Sequence, residues 1–178
     1  MTGGLLSRHT YPEAITPETT AHYGDFVRIA HENGIKVIDH LDATLLWNND
    51  SGFRLIAERI GQTERDRTTG LPNPRLCLAN PDFHRIFLDY CKELVRLGVD
   101  GFQIDEAHFF GRGCICAECR RQFHADTGWF LPMNELDPVW KDVGTPLAKA
   151  WFTWKRARVA NWFVETRREL QKLTTDQT

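Results

Sequence analysis

The densest chemistry in this sequence is Cys114-Ile115-Cys116-Ala117-Glu118-Cys119. A C-x-C pair is too close in sequence for easy disulfide geometry, whereas C-x-C-x-x-C lets three thiolates converge on one tetrahedral ion. The loop runs into a helix start, and that helix N-terminus together with Arg112, Arg120 and Arg121 is expected to lower the thiol pKa values. A fourth ligand is needed. Cys77 is the natural candidate, because the helix and strand between residues 80 and 105 return the chain to the same end of a sheet; His108 is the substitute. Four cysteines would make a closed, structural zinc site, with free or redox-active thiols as the alternative. Cys91 lies on the apolar face of a helix and reads as a small core residue.

A second constellation is Asp100-Gly101-Phe102-Gln103-Ile104-Asp105-Glu106-Ala107-His108, in which a strand delivers two adjacent carboxylates and a histidine at its C-terminal end. In parallel α/β folds active sites form at that end. Strand alternation puts Gly101, Gln103 and Asp105 on one face and Phe102, Ile104 and Glu106 on the other, so Asp105 is expected to point into a site. The competing reading is that these acids cap or solvate the following loop. His40 and Asp42 end an earlier strand at the same edge, where they line a sugar subsite or serve as supporting hydrogen-bond partners. Trp47, just beyond, is either a platform for a sugar face or a buried loop anchor. The stripe Trp151, Trp154 and Trp162 has helical spacing and reads as core.

These residues need elements to position them. Thr16 and Pro17 open a helix predicted over 17–33, closed by Asn33-Gly34, and Ile35 to Leu41 follows as a buried strand. Residues 42–79 read as a long excursion, apart from a short helix near 53–60. Asn80 and Pro81 then open an amphipathic helix with Phe83, Ile86, Phe87, Tyr90, Cys91, Leu94 and Leu97 on one face, and Gly98 ends it. Val99 to Ile104 is the second strand, followed by helices over about 117–126 and 146–172. The alternation predicts a parallel α/β architecture with only two convincing strands, which cannot hide both their faces and their edges. No internal repeat appears.

Composition bounds the class. The 178 residues carry 22 Lys plus Arg against 24 Asp plus Glu, a formal charge of −2, which offers no electrostatic reason to expect a nucleic-acid partner. No stretch suits a membrane span, and the first ten residues lack the apolar region of a secretory signal, so a cytoplasmic protein is expected. A full (β/α)8 barrel takes about 250 residues and seldom fewer than 200, so barrel features here would belong to a piece.

Leu76-Cys77-Leu78-Ala79-Asn80-Pro81, the helix after it, Gly101-Phe102-Gln103-Ile104-Asp105-Glu106 and Cys114-x-Cys116-x-x-Cys119-Arg120-x-x-Phe123 resemble, in that order, the middle of the catalytic barrel of glycoside hydrolase family 42 β-galactosidases. They look equally like the related hypothetical glycosyl hydrolase 6 group. The likeness is best over residues 76–128 and weaker from about 17 through the Trp-rich helix. It implies a partial (β/α)8 TIM barrel, about strand three to helix four, with residues 1–178 forming part of a single catalytic domain. Some family members hold zinc on one cysteine before the third barrel helix and a C-x-C-x-x-C after strand four, which implies Cys77, Cys114, Cys116 and Cys119 as ligands here. It also implies a carbohydrate substrate, and a homo-oligomer is open for a full-length protein.

The family's general acid/base does not carry over in ungapped register. Asp105 matches the Asp before the family's Asn-Glu pair, Glu106 falls opposite the Asn and Ala107 opposite the Glu. A second likeness, to the Gly-Phe-Arg-x-Asp strand of the α-amylase clan, would make Asp105 a nucleophile, against which Gln103 replaces the Arg. Asp105 and Glu106 therefore stand as alternatives for one carboxylate role, with the partner nucleophile expected outside this chain and the chain inactive alone. The reading from another class is a zinc-stabilised carbohydrate-binding or interaction module without catalysis.

Overall fold

A computed structural model describes residues 17–44, 61–109, 111, 113–132 and 137–175. Trp47, Arg112 and the short helix expected near 53–60 lie outside the described residues.

Helix α1 (Pro17–Glu32) ends at Asn33 and Gly34, whose φ of 72° is the left-handed turn that stops it. Strand β1 (Ile38–Asp42) begins three residues later than the β-branched run suggests, because only from Ile38 does the chain meet a ladder partner. That partner is β4 (Gly101–Asp105), parallel to β1, with Ile38 opposite Gly101 and Asp42 opposite Asp105. Asp100 seals the start of the pair. Its carboxylate accepts from the Val37 N–H, from Lys36 Nζ and from His31 Nε2, each at 2.8 Å, and Lys36 above all holds it well below the usual carboxylate range.

Between the two strands lies a correction to the sequence reading. The supposed irregular excursion contains an antiparallel pair, β2 (Thr63–Arg65) and β3 (Pro72–Leu76), with an irregular register between Thr63 and Arg65. Two prolines in β3 argue against a strand in a sheet interior, but they are tolerated in a short two-stranded ribbon with bulged register. The turn is encoded locally: Asp66 Oδ1 accepts from the Thr68 and Thr69 amides at 2.7 and 3.1 Å, and Gly70 takes φ 68°.

Helix α2 (Pro81–Arg96) forms as its cap and periodicity predict. Asn80 Oδ1 accepts from the Phe83 N–H at 3.0 Å, and Phe83, Phe87, Tyr90, Cys91 and Leu94 are buried. It completes a parallel crossover from β1 to β4. Helix α3 (Ala117–Thr127) starts within the cysteine motif, and helix α4 (Pro146–Thr175) follows a short 3-10 turn at Pro138–Trp140.

The tryptophan stripe is core, as expected. Trp162 packs on Phe87 with ring centroids 4.8 Å apart, joining α4 to α2. Trp151 and Trp154 meet Phe123 edge-on, joining α4 to α3, and Trp154 Nε1 donates to Asp126 at 2.7 Å. Burying these rings over three helices holds the long α4 across the cysteine-bearing segment.

The fold is thus mixed α/β with a parallel two-stranded sheet, and no closed barrel forms among the described residues. Asp39 and Leu41 of β1 face the helices and are buried, whereas Ile38, His40, Gln103 and Asp105 lie on the opposite, open face. Phe26, Ile29, Ile35 and Ile38 remain exposed apolar side chains beside β1. No described helix is long and apolar enough to cross a membrane.

Candidate metal centre and strand-end cluster

Two stretches of chain supply the cysteine centre. Cys77 follows β3, and its N–H donates to Gln62 O at 2.8 Å, while Leu76 N–H donates to Thr44 O at 2.7 Å and ties β3 to the end of β1. The loop bearing Cys114 and Cys116 docks on β2 through the Ile115 N–H, 3.1 Å from Arg65 O. Cys116 is the N-cap of α3, which presents Cys119 from its first turn. Gln122 of the same helix donates to Ala79 O at 2.7 Å, binding α3 to the segment after Cys77.

The result is a closed group of sulfurs. Cys77, Cys114, Cys116 and Cys119 are all buried, unbridged by disulfides, and their Sγ atoms lie within 4.8 Å of one another. Cys77 to Cys119 is 3.3 Å and Cys77 to Cys116 is 3.7 Å. A tetrahedral zinc with bonds of about 2.3 Å puts its sulfurs about 3.8 Å apart, so the group needs only small adjustment to hold such an ion. Backbone N–H groups aim at the sulfurs as they would at thiolates: Arg65 N to Cys114 Sγ at 3.2 Å, Cys116 N to Cys114 Sγ at 3.4 Å and Cys119 N to Cys116 Sγ at 3.5 Å. These residues could hold a metal ion.

The thiol chemistry departs from the sequence expectation. Burial pushes Cys77 and Cys119 well above the ordinary thiol range, while Cys116 is lowered because Cys114, Cys119 and Cys77 hydrogen-bond to its sulfur. Arg121 does not contribute as expected: it is exposed and pairs with Glu118, with Nε 3.0 Å from the carboxylate. Four buried sulfurs cannot all ionise together without a cation among them. His108 is no substitute ligand. It is half exposed, with Nδ1 3.7 Å from Glu106 Oε2, and Cys77 takes the fourth place.

Two residues that sequence reasoning missed complete the surroundings. Lys155 of α4 donates to Gly113 O at 2.9 Å, under the rings of Trp151 and Phe152. Burial lowers its ammonium below the usual lysine range, opposed chiefly by the Glu64 carboxylate. Glu64 of β2 is fully buried and accepts from Asn73 Nδ2 at 3.1 Å. A Cβ on Gly113 would stand 2.9 Å from Glu64 Cδ, so the glycine allows the loop to approach this carboxylate. The one available signal was the i, i+4 spacing of Trp151 and Lys155, which places the lysine on the buried stripe.

The strand-end residues form a second group. Asp42 and Asp105 are opposite one another in register, and His40 lies one strand step before Asp42 on the same face. His40 Nε2 is 3.7 Å from Asp42 Oδ1 and 3.6 Å from Asp105 Oδ2. Asp42 is buried, whereas the Asp105 side chain is 59% exposed, so the group has a closed floor and an open top. The Glu106 N–H donates to Asp105 Oδ1 at 2.8 Å, which orients the carboxylate.

Glu106 is placed differently. It adopts φ 53°, its carbonyl accepts from the Thr44 hydroxyl, and Arg75 Nη1 donates to its Oε2 at 2.6 Å. Of the two acids, Asp105 is the one presented on the open face; Glu106 is turned toward β3 by an ion pair. The structure therefore brings His40, Asp42 and Asp105 together, and sets Glu106 and His108 to one side. No family model, curated protein or solved structure matches this chain.

Proposed function

We propose that this chain is a zinc-stabilised segment of a glycoside-hydrolysing (β/α) barrel, with the ends of β1 and β4 forming one wall of the sugar site. The observation that carries the reading is the convergence of His40, Asp42 and Asp105 on one open face at the C-terminal end of two parallel strands, the place where such folds put their chemistry. The exposed Ile35 and Ile38, and strand edges that find no further partner among the described residues, favour a sheet continued by other strands.

In this reading Asp105 is the reacting carboxylate, and Glu106, held by Arg75, shapes the turn behind it. Hydrolysis of a glycosidic bond needs two carboxyl groups about 5–5.5 Å apart for retention or 6.5–9.5 Å for inversion. Asp42 and Asp105 bring their oxygens within 4.8 Å with His40 beside both, which leaves too little room for a scissile bond between them. The partner carboxylate belongs on another strand. Zinc in the cysteine centre would be structural, since four sulfurs leave it no open position; it would pin the 113–116 loop and thereby the turn at Glu106.

Ligand-observed NMR with a panel of aryl glycosides tests the proposal. Saturation transfer to the sugar ring is expected with the wild-type chain and is expected to vanish in Asp105→Asn. Absence of transfer from every sugar would overturn the reading. Glycosides that bind but are never cleaved, even when the chain is joined to the rest of a barrel, would favour the non-catalytic carbohydrate-binding module.

A further inference from the structure

We infer that His40, Asp42 and Asp105 form an exchangeable site for a divalent transition-metal cation, separate from the cysteine centre. The inference does not need the glycoside reading. Three features carry it. The ligand atoms come from two adjacent strands at matched register, so the ladder itself, and not a loop, sets their separation. One imidazole nitrogen stands almost equally far from two carboxylate oxygens, at 3.7 and 3.6 Å, and all three atoms lie within 4.8 Å.

Those separations are longer than a direct hydrogen bond and fall near the edges of a coordination polyhedron. With metal–ligand bonds of about 2.1 Å, neighbouring ligands stand about 3.0 Å apart in an octahedron and about 3.4 Å apart in a tetrahedron. The third feature is burial. Asp42 retains only 7% of its surface, which gives the group a floor withdrawn from water, where the attraction between a cation and carboxylates is screened less than in bulk solvent. Asp105 lies above it with 59% of its side chain open, so an ion could enter from solvent and keep water on its outer side.

The donor set selects the ion. One imidazole and two carboxylates, without sulfur, suit borderline divalent cations such as Mn²⁺, Co²⁺ or Zn²⁺ and not a soft monovalent ion. This separates the two centres chemically: thiolates take zinc and retain it, while the strand-end group exchanges. With the cation bound, Asp105 Oδ2 is a ligand and cannot donate a proton to a glycosidic oxygen. Cation and sugar are therefore competing occupants of this face.

The test uses the full chain with its cysteine centre filled by one equivalent of zinc. Mn²⁺ is then titrated in without sugar, and free Mn²⁺ is followed by its six-line electron paramagnetic resonance spectrum. One further Mn²⁺ per chain is expected to bind. Asp105→Asn, at an exposed side chain that does not hold the fold, is expected to weaken binding at least about tenfold, as is His40→Gln. Glu93→Gln, on α2 where Glu93 pairs with Arg96, is expected to leave it within about twofold. Paramagnetic broadening of the His40 imidazole resonances by Mn²⁺ is expected in the same samples. An undiminished free-Mn²⁺ signal at 1:1 loading and millimolar protein (on the order of 1 mM), or binding that Asp105→Asn does not weaken, overturns the inference. Neither outcome bears on glycoside binding, which is measured without Mn²⁺.

Discussion

The two polar centres of this protein, one built from Cys77 and the start of α3 and the other from the ends of β1 and β4, solve the problem of converging ligands in opposite ways. The cysteine centre gathers its sulfurs from two places along the chain, Cys77 and the 114–119 run, and buries all of them. The strand-end cluster takes three ligands from two hydrogen-bonded strands and leaves one open. Where a sheet ladder already sets the spacing, a site can remain exposed and exchange its occupant. Where loops must be brought together, the site closes, and an ion held there would supply cohesion that short loops cannot.

The largest effect that would break this contrast is at Cys116. Cys116→Ser, or chelation of the metal, is expected to lower the melting temperature by more than about 10 °C, since each kcal/mol shifts a chain of this size by about 2–4 °C and structural metal sites contribute several. Calorimetry with and without chelator measures it. An unchanged melting temperature would mean that the four sulfurs hold nothing of structural importance.

Gly113→Ala is expected to come next. Its Cβ would press on the buried Glu64 carboxylate, and overpacking of this kind costs about 1–3 kcal/mol. Urea denaturation reads the loss. The variant is expected to bind zinc more weakly while retaining the strand-end Mn²⁺ site, which would separate the two centres experimentally.

A smaller effect sharpens the contrast between the two faces of β1. Asp39 points into the helices, accepts a hydrogen bond from the Tyr23 hydroxyl, and has its pKa raised because burial outweighs that bond. A carboxyl with a folded pKa above the unfolded value of about 3.9 destabilises the protein once ionised. Stability should therefore fall as pH rises from about 3.9 through the folded pKa, and Asp39→Asn should remove that slope. Urea titration of wild type and variant across acidic pH measures the difference, which is expected to grow as the pH rises. A variant with the wild-type slope would place the titration elsewhere.

Smallest is the expected change in stability from Asp105→Asn, within about 0.5 kcal/mol, because the side chain is largely exposed and its neighbours do not rely on it for packing. A loss of more than about 2 kcal/mol would make Asp105 a structural acid like Asp100, and would remove the distinction between a centre that holds the fold and one that is held by it.

Much of this was present in single elements of the sequence. Asn80-Pro81, the apolar face after it and Gly98 specify α2 through local caps and period, so its ends were legible. The same holds for the C-x-C-x-x-C motif, whose spacing already lets three sulfurs converge, and for the alternation that puts Asp105 opposite Ile104. The β2–β3 pair was not legible, because prolines and an irregular register conceal a ladder that exists only when the two short strands meet. Glu64 and Lys155 were equally hidden, since nothing near either residue in the chain announces the other.

By itself, then, the sequence determined what depends on near neighbours: helix limits, the tryptophan face of α4, strand polarity and the three clustered cysteines. Tertiary structure alone decided that Asp42 would be buried and Asp105 open, that Arg75 would claim Glu106, and that Cys77 would complete the sulfur group in preference to His108. The physical reason is that periodicity and capping act within a few residues. Burial and ion pairing are set by whichever distant segment arrives at the same point in space, and that is a property of the folded chain.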